Sequence, residues 1–125
     1  MAGEIILIVD DNPANLKLAR VLLSTEGYVV RTAADAEEAL EQLRVSHPRL
    51  ILMDIQLPGM DGLELTRRLK ADPSTSGIAI LALTSYAMKG DEERALAAGC
   101  DGYVAKPIDT RGLPAKIAAL LASRA

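Results

Sequence analysis

Phenylalanine and tryptophan are absent from this chain, and tyrosine occurs only three times. Half of the residues are nonetheless hydrophobic, so a core must be built from Leu, Ile, Val, Ala and Met, which suits interleaved strands and helices. A single cysteine, Cys100, excludes an intramolecular disulfide. An unpaired thiol fits a reducing compartment and reads here as an ordinary buried residue near a helix end. One His and one Cys are too few for a zinc centre, which draws on imidazole and thiolate. Long hydrophobic runs are also missing. Ile5 to Val9 is shorter than the ~7–15 apolar residues of a signal peptide and far short of a membrane span. No basic stripe accompanies the formal net charge of −3, so neither nucleic acid nor an anionic membrane is an expected partner. A cytoplasmic location is expected.

What the chain does contain is a set of short apolar runs that end in polar residues. Ile5 to Val9 runs into Asp10 and Asp11, Leu50 to Met53 into Asp54, Ile78 to Leu83 into Thr84 and Ser85, and Tyr103 to Ala105 into Lys106. If these are neighbouring parallel strands, their ends meet along one edge of a sheet, where ligand crevices of open α/β sheets lie. Three carboxylates, a hydroxyl and an ammonium then share one cleft. Carboxylates at such range repel one another, and protonation or a divalent cation relieves them. Hard oxygen ligands partly open to water suit Mg²⁺ or Mn²⁺. Phosphoryl chemistry is the expectation.

Between the runs lie segments of helical period, giving five strands and five helices in alternation and predicting an α/β domain with a parallel sheet. The 125 residues suit one domain over residues 1–125. Asn12 caps a first helix with Pro13 at its first position, ending at Glu26 before Gly27, with Leu16, Ala19, Leu22 and Leu23 on one face. Tyr28 to Thr32 is shorter and more polar, hence an edge strand. Asp35 with Glu38 opens the second helix, in which Ala36, Ala39, Leu40 and Leu43 face inward before His47-Pro48 ends it. Leu57 to Met60 is a tight loop, Asp61 with Glu64 caps a third helix reaching Ala71, and 72–77 form a polar loop. The fourth helix spans Ala87 to Ala98, closed by Gly99. Pro114 sits awkwardly for a helix starting at Asp109, so the fifth is expected to start near Thr110 or Arg111, or to have a tightened first turn, and to turn Ile117, Leu120 and Leu121 inward. Right-handed crossovers favour a doubly wound sheet with its switch point between the first and third strands. The acids flank that point.

Paired acids after the first strand, Asp54 followed by the Pro-Gly-Met-Asp-Gly loop, Thr84 after the fourth strand and Lys106-Pro107 after the fifth together resemble the receiver domain of two-component response regulators. The match runs over essentially the whole chain. The resemblance implies a flavodoxin-like strand order 2-1-3-4-5 with helices on both faces. It implies that Asp54 is the phosphoacceptor, phosphorylated from the histidine of a sensor kinase or a histidine phosphotransfer protein. Mg²⁺ would be held by Asp11, Asp54 and the backbone carbonyl of Gln56, with Asp10 reaching it through water. Lys106 would pair with a phosphoryl oxygen, its direction set by a cis bond to Pro107, and Thr84 would donate its hydroxyl. Tyr103 would then turn into the space Thr84 leaves, changing the surface of the fourth helix, fifth strand and fifth helix for a downstream protein. Gln56 and Tyr86 would border the path of a water attacking the phosphoryl group, and the bulk of Tyr86 predicts a long-lived phosphorylated form. Ser85 is small enough to admit the phosphoryl donor.

Taken singly, these residues have plainer readings: a strand-end Asp is often a helix cap, and Tyr103 suits an amphipathic surface. Their combination carries the argument. Two other classes compete with it. A phosphatase of the haloacid dehalogenase type also gathers Asp, Thr or Ser, Lys and Mg²⁺ at strand ends, but uses Asp-x-Asp where this chain has Asp10-Asp11-Asn12, and it carries a substrate-covering cap for which the length leaves no room. A nucleotide-binding module needs a glycine-rich loop after the first strand, and Asp10-Asp11-Asn12-Pro13 is not one. The expectation is therefore a non-enzymatic switch, monomeric or weakly dimeric. It is either a single-domain regulator or a receiver from a longer chain such as a hybrid kinase.

Overall fold

The computed structural model describes residues 3–57, 59–85, 90–106 and 108–123, leaving aside the side chains of Ser85, Asp91 and Lys106. Strands and helices alternate along the chain: β1 (Ile5–Val9), α1 (Pro13–Thr25), β2 (Val29–Ala33), α2 (Ala36–Val45), β3 (Leu50–Asp54), α3 (Gly62–Ala71), β4 (Ala79–Ser85), α4 (Asp91–Ala98), β5 (Gly102–Lys106) and α5 (Gly112–Ser123). The strands form one parallel sheet in the order β2-β1-β3-β4-β5. The polar strand predicted at an edge is at an edge.

Side chains alternate across a strand, and here that alternation sorts the helices. Ile6 and Ile8 of β1, Leu50 and Leu52 of β3, and Leu81 and Leu83 of β4 pack with Ala19 and Leu23 of α1 and with Leu113, Ile117 and Leu121 of α5. Leu7, Val9, Ile51, Met53, Ile80 and Ala82 point the other way, against α2, α3 and α4. β3 lies between them with every residue buried. Because β1 hands the chain to α1 on one face and β3 hands it to α3 on the other, a crevice opens between the ends of these two strands. This is the switch point of the sheet.

The helix starts follow the sequence. The Asn12 side chain accepts from the amides of Ala14 and Asn15 at 2.9 and 3.4 Å. Asp35 and Asp61 accept from the amides of Glu38 and Glu64, each at 2.8 Å. Each cap satisfies amides that the first helical turn leaves unpaired. Helix α1 ends one residue earlier than predicted, and Gly27 follows at φ 94°. β2 is displaced by one residue, because the Tyr28 amide is taken by the Leu23 carbonyl closing α1 (3.2 Å) while its ring stays buried. α5 begins at Gly112, just beyond the predicted start: Asp109 Oδ1 accepts from the Arg111 amide at 3.0 Å and holds the preceding turn. Pro114 thus falls in the first turn, where a missing N–H costs little. Leu113, absent from the predicted inward face, is buried, whereas Leu120 is only partly covered. The described part of α4 begins at Asp91. The predicted start at Ala87 lies outside the described residues.

No described helix is long and apolar enough to cross a membrane.

Candidate functional site

The polar residues that end the apolar runs come together at the crevice. Asp10 follows β1, anchored by its amide to the Ala33 carbonyl of β2 at 3.1 Å. Asp54 ends β3 opposite Leu83 of β4, and Thr84 lies opposite Ala105 of β5. One carboxylate oxygen from each of Asp10, Asp11 and Asp54 lies within 4.8 Å of the others. Asp10 and Asp54 are 0% and 1% exposed, whereas Asp11 is open to water.

Two of these carboxylates accept hydrogen bonds from neighbouring amides. Asp10 Oδ1 accepts from the Asn12 amide at 2.9 Å, and its Oδ2 accepts from Asn15 Nδ2 at 3.2 Å. Asp54 Oδ1 accepts from the Gln56 amide at 2.9 Å. Such bonds steady a buried anion, yet they leave mutual repulsion between three acids. At an effective dielectric near 20, two unit charges at that spacing repel by roughly 3–4 kcal/mol. A cluster of hard oxygen donors, two buried and one facing solvent, is the donor set that suits a small divalent cation keeping part of its water shell. The chain therefore fits Mg²⁺ at this place.

The position of Asp54 depends on a glycine. The first turn of α3 is pressed against the end of β3: the Gly62 amide donates to the Ile55 carbonyl at 3.2 Å, and a Cβ on Gly62 would stand 2.2 Å from the Asp54 carbonyl oxygen and 2.8 Å from Ile55 Cα. Neither neighbour is a flexible side-chain tip, so only glycine fits. Gly59, at φ 72°, turns the preceding loop. The Pro-Gly-Met-Asp-Gly motif names both residues, but the close approach at Gly62 leaves no sign in the sequence beyond the glycine itself.

Thr84 is 1% exposed, and its hydroxyl donates to the Val104 carbonyl at 3.4 Å. That bond is long for a hydroxyl donor. Tyr103 lies two residues before Ala105 on the edge strand, half-buried against the α2–α3–α4 face. Gln56 is exposed beside Asp54, and Lys106 ends β5 opposite Ser85. The Lys106 side chain, Tyr86, and the Lys106-Pro107 bond expected to be cis all lie outside the described residues.

Away from the crevice, Cys100 is buried, its sulfur 3.8 Å from Thr66 Oγ1, and burial pushes its thiol above the ordinary range. It has the character of an inert core residue. The backbone amides of Arg111 and Gly112 hold the Asp109 carboxyl below its usual range.

Comparison with known proteins agrees with this geometry. The profile of the family described as "Response regulator receiver domain" matches residues 6–118. The polar-differentiation response regulator DivK of Brucella ovis is 48% identical over 103 residues, covering 82% of this chain and 84% of that protein. Among solved structures, the receiver domain of a sensor histidine kinase from Pseudomonas aeruginosa, with a magnesium ion coordinated in its active site cleft, superposes with a TM-score of 0.88. It is 36% identical, over 97% of this chain and 99% of that one. A CheY-like receiver domain protein from Methanospirillum hungatei gives 0.89 at 36% identity, over 98% and 97% of the two chains.

Proposed function

We propose, from the premise that this chain belongs to the response regulator receiver domain family, that it is a signalling switch thrown by phosphorylation of Asp54. The observation that carries the proposal is the meeting of Asp10, Asp11 and Asp54 within 4.8 Å at the sheet's switch point. The donor is the phosphohistidine of a sensor kinase or a histidine phosphotransfer protein. An Asp54 carboxylate oxygen attacks phosphorus, the new O–P bond forms as the N–P bond breaks, and the electron pair of that bond stays on the imidazole nitrogen.

Asp11, Asp54 and the Gln56 backbone carbonyl would hold Mg²⁺, with Asp10, whose oxygens already accept from Asn12 and Asn15, one water further out. When bound, the ion offsets the negative charge gathered between carboxylate and phosphoryl oxygens. Lys106 contributes its ammonium to a phosphoryl oxygen as a mobile point charge. Asp54 is held ready by the Gln56 amide and by the α3 start against its backbone, so little reorganisation precedes attack.

Thr84 reports the new group. Its hydroxyl leaves a long bond to Val104 for a charged acceptor, a stronger partner. The space it vacates admits the Tyr103 ring, and the surface of α4, β5 and α5 changes for a downstream protein. Gln56 and Tyr86 flank the water that later breaks the acyl phosphate, and Ser85 leaves room for the donor. The chain works in the cytoplasm as one domain over residues 1–125, monomeric or weakly dimeric, with no nucleic-acid or membrane partner. A phosphatase reading has no support once the family is known.

Incubation with acetyl phosphate and Mg²⁺ followed by intact-mass measurement tests the proposal. Wild type gains one phosphoryl group, whereas Asp54→Ala gains none. Equal labelling of both proteins would refute it.

A further inference from the structure

Lys116 stands on α5, which packs on one face of the sheet, while Tyr103 of β5 packs against the other. β5 is an outermost strand, so a long side chain from α5 can reach round its open edge. It does: Lys116 Nζ sits over the Tyr103 ring, 5.4 Å from its centroid. Gly102 lies beside this path: a Cβ there would touch Lys116 Cε at an ordinary 3.8 Å and crowd only Leu81 Cδ1, at 3.3 Å. Among the described residues the Lys116 ammonium makes no hydrogen bond and no ion pair. The ring is the partner that directs it.

We propose that Lys116 is a positioning residue that pins the Tyr103 ring in its resting place and so sets the threshold of the switch. The proposal rests on the reading of Tyr103 as the ring that moves. A contact present in one state and lost in the other shifts their balance by its own differential free energy. A cation over an aromatic face at an exposed site accounts for roughly a two- to five-fold change in population. By linkage, any ligand that favours the moved state gains the same factor in affinity when the pin is removed. The pin acts from α5, part of the surface that would read out the switch, so a partner that engages the Lys116 ammonium would also release the ring.

The test uses NMR of the Tyr103 ring, assigned with Tyr103→Phe, in wild type, Lys116→Met and Lys116→Arg. Methionine keeps an apolar stem without charge, and arginine restores a cation that stacks on rings. In the resting protein, Lys116→Met shifts the ring resonances and Lys116→Arg stays close to wild type. On titration with beryllofluoride in the presence of Mg²⁺, Lys116→Met binds about two- to five-fold more tightly. Unchanged ring resonances in Lys116→Met, or unchanged beryllofluoride affinity, overturn the pin. The wider reading fails by a separate sign: a wild-type Tyr103 ring that ignores bound beryllofluoride. The resting-state comparison of the three proteins needs no beryllofluoride, so the two failures are distinguishable.

Discussion

Asp54 is a carboxylate with 1% of its surface exposed, set beside two more acids, and folding alone gives no reason to place it there. Burying like charges together costs stability, and a site that does so implies a ligand that reverses the cost. The proposed roles of Asp54, Asp10 and Asp11 follow from that imbalance. Tyr86 belongs to the same scale. If its side chain obstructs the attacking water, Tyr86→Ala should speed Mg²⁺-dependent loss of the phosphoryl group by roughly ten-fold, the effect of about 1.4 kcal/mol on a barrier. Decay of the phosphorylated mass species measures this directly, and an unchanged half-life removes Tyr86 from the account.

Among the elements, the contact between α3 and β3 matters most for the site. A methyl group at Gly62 would collide with the Asp54 backbone at 2.2 Å, and backbone yields less readily than a side chain. Gly62→Ala should therefore lower stability by about 3 kcal/mol, the upper end of over-packing costs, and also slow phosphorylation of Asp54. Urea unfolding reads the first effect and acetyl phosphate kinetics the second; a loss below about 1 kcal/mol would mean the helix start is free to slide.

The opposite end of the sheet is tied by Lys70, whose ammonium donates to the carbonyls of Ile78 and Ser76 at 2.8 and 3.3 Å and to Asp101 Oδ2 at 2.9 Å. The same Asp101 oxygen accepts from the Ile80 amide at 2.8 Å. This joins α3, the 72–77 loop, the start of β4 and the approach to β5. Lys70→Met should cost about 2–3 kcal/mol, as for hydrogen bonds to charged groups, with the phosphorylation rate unchanged. A changed rate with intact stability would contradict the separation of the two ends.

At the scale of the whole molecule, the parts legible in the sequence were those carried by local pattern. Apolar runs such as Leu50 to Met53 marked strands, Asn12, Asp35 and Asp61 marked helix starts, and charged residues just beyond the runs marked the edge where they would meet. The strand order came through resemblance to receivers, because periodicity alone does not say which strands pair. What stayed hidden were meetings between segments far apart in the chain. Lys70 and Asp101 are 31 positions apart, and Lys116 reaches Tyr103 round a strand edge from the other face. Neither leaves a repeating signal. The one-residue shift of β2 and the one- or two-residue shift of the α5 start have local causes, the Leu23 carbonyl and the Asp109 carboxylate, which compete with the pattern for nearby amides.

In the proposed switch one carboxylate, at the end of β3, forms a covalent bond to phosphorus. Borohydride reduces an acyl phosphate to the corresponding alcohol, so treatment of the phosphorylated protein followed by peptide mass spectrometry reads the position of the bond. Homoserine is expected at position 54 and nowhere else, dependent on Mg²⁺ during phosphorylation. Homoserine at position 10 or 11, or at 54 in equal yield with the metal chelated, would contradict it.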